Sequence, residues 1–96
     1  MTINYDSISN DVKRILANAD VAHDFYHVQR VLNTACQLSQ GLDVDMDVVM
    51  LTALLHDVDD YKLFSENMHH AQSILVKYDI PQSIRDRVLD AVAKIS

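Results

Sequence analysis

Apolar residues recur along this chain at intervals of three and four, the spacing of a helix face, in five stretches parted by polar or turn-forming residues. The first runs from about Ser7 to Asn18, where Ile8, Val12, Ile15 and Leu16 make one stripe. The second runs from about Asp24 to Gln40. Val28, Val31, Leu32, Ala35 and Leu38 are read as its buried face, and Gly41 is its natural stop, because glycine takes the left-handed C-terminal conformation without a steric penalty. The third begins near Asp45, a good N-cap, with Asp47 suited to the positive helix end. Val48 to Leu55 then carries no charge at all. A helix apolar on every side belongs at the centre of a fold. A buried strand can show the same run, and Ala53 with the three leucines favours the helix.

The fourth stretch runs from about Glu66 to Tyr78 and carries Ala71, Ile74, Leu75 and Tyr78. Pro81 opens the fifth, since proline suits a first helical turn, and Ile84, Val88, Leu89, Val92 and Ile95 form its stripe. That stripe reaches the last residue with no cap, so the bundle is expected to be truncated, its final helix offering an open apolar face on which a homo-oligomer can form. The expected fold is all-α, a bundle of about five helices forming one domain over residues 1–96.

Composition narrows the picture. One glycine and one proline in 96 residues are too few for a turn-rich all-β fold. The net charge of -6 comes with no basic block, which argues against duplex nucleic acid as the main partner, since contacts to phosphate supply most of that affinity. A single cysteine, Cys36, excludes an intrachain disulfide. No window has the length of a membrane span, and the N-terminus is polar and acidic, unlike a secretory signal; a cytoplasmic protein is expected.

The chemistry-bearing residues are the five histidines, His23, His27, His56, His69 and His70, and the acids near them. His56 and Asp57 end the uncharged third stretch, so the chain passes straight from core to ionisable side chains. Either the helix surfaces there and Asp57 is solvated, or the carboxylate is buried and needs a partner or a metal. His23 and His27 lie four apart, and His27 shares a stripe with Val31, Ala35 and Leu38, which puts it on the core-facing side. Such a histidine can be a hydrogen-bonded core residue. Two helices that each bring a core-edge histidine, with an adjacent aspartate, make a metal site the stronger reading. Asp60 shares the face of His56, Lys62 follows two later, and Arg30 follows His27 by three. These read as a proton-handling carboxylate and two phosphate-binding cations, or as a solvated loop and helix edge. Asp43, Asp45 and Asp47 alternate like the start of a calcium loop, but Val48 and Leu54 stand where such a loop needs glycine and glutamate. There is no HExxH, paired CxxC, glycine-rich phosphate loop or nucleophile-elbow pattern. Adjacent His69 and His70 cannot share a helix face, so at most one of them reaches a common site.

AHDFYHVQRV (Ala22 to Val31), LLHDVDDYK (Leu54 to Lys62) and the closing AVAKIS resemble the HD superfamily of metal-dependent phosphohydrolases, nearest its small bacterial branch of predicted nucleotide or pyrophosphate hydrolases. The resemblance spans essentially the whole chain. It implies a divalent transition metal (manganese, cobalt, nickel, iron or zinc) held by His27, His56 and Asp57. It implies an inner pocket with His23, Asp60 and Lys62, and His70 at the rim. The family's last aspartate ligand comes from a helix beyond the fifth, and none of Asp79, Asp86 or Asp90 can be assigned to it. The implied activity is hydrolysis of a small nucleotide, pyrophosphate or other phosphate ester, with Arg30, Lys62 and His70 contacting substrate. The alternatives are a catalytically incomplete metal- or nucleotide-binding module and a helical oligomerisation domain.

Overall fold

The computed structural model describes residues 3–17, 25–58 and 70–95. They form five helices and, among the described residues, no strand: α1 (Tyr5–Ala17), α2 (Phe25–Ser39), α3 (Met46–Leu55), α4 (His70–Lys77) and α5 (Gln82–Ile95). The all-α bundle expected from the periodicity is the fold found. The expected outer ends at Asn18, Asp24 and Glu66 lie outside the described residues. α1 starts two residues before the expected Ser7, because the Asn4 side chain accepts from Ser7 N at 3.1 Å and caps the helix there.

α3 is the central element, and α2 and α5 pack against it. Its cap is as expected: the Asp45 carboxylate accepts from Asp47 N at 3.0 Å. Leu51, Leu54 and Leu55 are fully enclosed, together with Ile8 and Val12 from α1, Val28 from α2, Leu75 from α4 and Val88 from α5. α4 packs on α5, and α1 lies over α2 and α3. Two polar ties fasten α1. The Tyr5 hydroxyl donates to Asp47 at 2.6 Å, and burial, then this hydrogen bond, push its ionisation far above the ordinary phenol range. On the other side, buried Asp11 accepts from the Tyr78 hydroxyl at 2.7 Å and from Lys77 Nζ at 2.9 Å, and pairs with Arg14, so one carboxylate joins α1 to the end of α4.

The turn from α4 to α5 closes in a way the residue pattern did not disclose. Asp79 sits at φ 56, the left-handed region. Asp79 N donates to the Val76 carbonyl at 3.1 Å, and Ile80 N reaches back to the Leu75 carbonyl at 3.0 Å. This is the paired closure that usually employs glycine, and aspartate is among the residues that tolerate it. Ile80 is buried just beyond it, so the closure delivers an apolar anchor to the core before Pro81 starts the next helix.

Two sequence expectations are corrected here. The stripe of α5 is not open: Val88 and Val92 are buried, and Ile84 and Leu89 pack against the core. Those four positions are packed within the chain, where α5 meets α3 and α4. Conversely, the apolar positions of α2 do not form one buried face. Val28 is enclosed and Leu32 packs on the core, while Leu38 is 73% exposed and Val31 and Ala35 are only half-buried. α2 carries more apolar residues than one face can bury, and the row through His27, Val31, Ala35 and Leu38 is the surplus. No helix among the described residues is long and apolar enough to cross a membrane.

Leu51→Ala should lower the unfolding free energy by about 2–5 kcal/mol, because it opens a cavity at the centre of the bundle. Leu38→Ala should change it by no more than about 0.5 kcal/mol. Chemical denaturation followed by circular dichroism separates the two, and a large loss at Leu38 would contradict this assignment of faces.

Candidate metal centre

His56 and Asp57 follow directly on α3, in backbone that keeps winding: His56 retains helical φ and ψ of -63 and -25, and Val58 N donates to the Leu55 carbonyl at 3.3 Å. Val58 is fully buried, so the turn is pinned on both sides, by Leu55 before the pair and by Val58 after it. His56 is left 9% exposed and Asp57 6%. Of the two readings left open, the structure selects the buried carboxylate.

His27 meets them from α2, beside enclosed Val28. Its Nε2 lies 3.7 Å from Asp57 Oδ2, and His56 Nε2 lies 3.1 Å from the same oxygen. The two rings are tilted at 56° with centroids 5.6 Å apart. One ligand atom from each of His27, His56 and Asp57 falls within 4.8 Å of the others. Ligands at about 2.1 Å from a common ion stand roughly 3–4 Å apart. The group is thus near closure, and the His27 side chain, 48% exposed, has room to turn through the remaining gap of about 1 Å. The prediction that His27 faces the core is refined: it stands at the core's edge, open to a groove.

The hydrogen bonding of His56 bears on what this group holds. His56 Nδ1 is 2.6 Å from the Ala53 carbonyl oxygen. A carbonyl only accepts, so Nδ1 carries the proton and donates. In the neutral ring Nε2 is then a lone pair directed at an oxygen that also only accepts. Two acceptors 3.1 Å apart need a positive centre between or beside them, a proton or a cation. Asp57 also stands at the C-terminal end of α3, the negative end of the helix dipole, and Oδ2 is closed off from water. Burial and dipole both disfavour its charge, and a cation offsets both. Two imidazoles and one carboxylate are a donor set suited to manganese, iron, cobalt, nickel or zinc, and the backbone carbonyl behind His56 is the kind of outer partner that orients a ligating imidazole. The residues fit a divalent metal.

The other expected site residues divide. Arg30 lies one turn beyond His27 and lines the same groove on α2. His70, half-buried at the start of the described part of α4, lines a depression with Asp11, Arg14, Ile15 and Lys77 on the α1 side. His23, Asp60 and Lys62 lie outside the described residues. The Ala53 carbonyl is a contributor that sequence reasoning missed. The signal was available, since a histidine at a helix end can bond the carbonyl three residues back, but nothing in the pattern required it.

A helical chain with a histidine on one helix meeting a His-Asp pair at the end of another defines a class. Residues 24–95 match the family model of the HD domain, and the chain belongs to that family. HD domains generally bind divalent metals and fall within the superfamily of metal-dependent phosphohydrolases. The chain is 28% identical over 94 residues to the uncharacterized protein YpgQ of Bacillus subtilis (strain 168), an alignment covering 95% of this chain and 46% of YpgQ. The chain thus spans about half the length of this curated relative. No solved structure matches it.

Nitrogen NMR of the imidazoles tests the hydrogen bond on which the site geometry stands. His56 should keep its proton on Nδ1 in both metal-free and metal-loaded protein. A neutral ring protonated on Nε2 would overturn the assignment.

Proposed function

We propose that this chain carries the metal centre of a phosphohydrolase acting on a small nucleotide or another phosphate or pyrophosphate ester, with His27, His56 and Asp57 as ligands. The observation that carries the reading is the convergence of His27 Nε2 and His56 Nε2 on one buried oxygen of Asp57, at 3.7 and 3.1 Å. Membership in the HD family supports it.

A divalent cation bound there would supply Lewis acidity, polarising a phosphoryl oxygen and acidifying water. The chain's own residues supply the rest. The Ala53 carbonyl fixes His56 in one tautomer, so Nε2 is ready to bind without reorganisation. Asp57 supplies the negative charge that draws a cation into the site. Arg30, in the groove beside His27, donates to phosphoryl oxygens and favours the charge that builds up as the ester bond breaks. Asp60 and Lys62, next in the chain after the His-Asp pair, are assigned to the proton of the attacking water and to a second phosphoryl oxygen. By the family resemblance His23 is assigned to the inner pocket, and His70 is assigned an outer contact to substrate.

The test is to load the protein in turn with manganese, iron, cobalt, nickel and zinc, measure the bound metal, and assay phosphate and pyrophosphate release from a nucleotide panel. Bound metal near one per chain, metal-dependent release, and loss of both in His56→Ala with helical circular dichroism retained are the expected results. Unchanged metal content in His56→Ala would remove the site. Stoichiometric metal with no release from any ester would make the chain a binding module instead.

A further inference from the structure

The surplus apolar row of α2 leads away from the metal centre. His27, Val31, Ala35 and Leu38 follow one another at helical spacing, and Arg30 and Thr34 form the adjacent row. Together these six line one open cavity of about 430 Å³. From His27 to Leu38 the helix rises about 16 Å. The chemistry of the lining changes along that length. At one end stand His27, which reaches Asp57, and the Arg30 guanidinium. Beyond them the described lining is Val31, Thr34, Ala35 and Leu38, with no charge and a single hydroxyl. Leu38, 73% exposed, contributes nothing to the core that would account for its apolar side chain.

A groove that is cationic at one end and apolar along the rest complements a molecule that is anionic at one end and apolar along the rest. We infer that this groove holds the organic group of the substrate, so that the chain acts on a phosphate ester of a largely apolar or aromatic group in preference to inorganic pyrophosphate or a small polar ester. The phosphate end rests on the metal reading above; the apolar end rests on the groove alone. Ala35, midway along, is the specificity-determining position, since its methyl leaves the space that a longer side chain would fill. Leu38 closes the far end of the described lining and supplies contact area there.

Decylphosphonate and methylphosphonate share a non-hydrolysable head and differ only in the organic group, and the extended decyl chain is long enough to run past Ala35 toward Leu38, so their affinity ratio reports the groove. Calorimetric titration should give at least tenfold tighter binding of decylphosphonate to the zinc-loaded protein, a difference of about 1.4 kcal/mol. In Ala35→Gln and in Leu38→Ser, both on an exposed or half-exposed helix surface, the ratio should fall to within about twofold while methylphosphonate affinity and zinc content stay unchanged. Equal affinities in the unaltered protein, or an undiminished ratio in both variants, would overturn the proposal. So would light scattering in which Leu38→Ser converts a dimer to a monomer with the ratio unaffected, for the groove would then be a contact between copies. Stoichiometric zinc with equal phosphonate affinities would reject the groove and leave the metal reading standing. A persistent decyl preference in protein that takes up no zinc would support the groove and reject the metal reading.

Discussion

Helix α3 has no polar side to turn toward water, so the chain has to enclose it, and enclosing it carries the two residues at its C-terminal end into the interior. That constraint explains why His56 and Asp57 are 9% and 6% exposed although both can carry charge. A carboxylate there has lost its hydration and faces the negative end of a helix dipole. The imidazole nitrogens of His27 and His56 come within 3.7 and 3.1 Å of Asp57 Oδ2. The Ala53 carbonyl, by claiming the proton of His56 Nδ1, commits the other nitrogen to the role of acceptor. Site and core are therefore the same structure seen from two ends: the packing that stabilises α3 also creates the setting in which the proposed divalent cation would sit.

The remaining helices divide the labour around this element. α2 has two apolar rows, one spent on α3 through Val28 and Leu32 and one left along the groove that starts at His27. α5 seals the other flank of α3 with Val88 and Val92. α1 and α4 are joined by the Asp11 cluster, whose cations are largely exposed while its carboxylate is not. There the charge of a buried acid is offset by lysine, arginine and a tyrosine hydroxyl. Asp57 has histidines in the corresponding positions.

Much of this was legible beforehand, for physical reasons that differ by element. The charge-free run Val48–Leu55 could only be central, and Asp45 marked its start through a capping bond that a single residue type makes evident. The His-Asp pair was legible because it interrupts that run, and His27 because Arg30 and Val31 follow it in a stretch that resembles the HD family, whose model matches residues 24–95. Faces were harder. Periodicity marks α2 as apolar on the side of Val31, Ala35 and Leu38, but periodicity cannot say whether such a row meets a helix or a ligand. For the same reason the stripe of α5 was read as open when α3 fills it. Asp79 was illegible because the left-handed turn it adopts is set by where Ile80 must be buried, a tertiary demand with no local signature. The assignments to His23, Asp60 and Lys62 rest on the motif, since these positions lie outside the described residues.

X-ray absorption at the zinc edge of the loaded protein reaches the centre of the account without passing through turnover. The account predicts scattering from two imidazoles with ligand atoms at about 2.0–2.2 Å and oxygen in the rest of the shell, falling to one imidazole in His27→Ala. A shell without imidazole scattering, or one that His27→Ala leaves unchanged, would contradict the claim that these two helices meet around a cation.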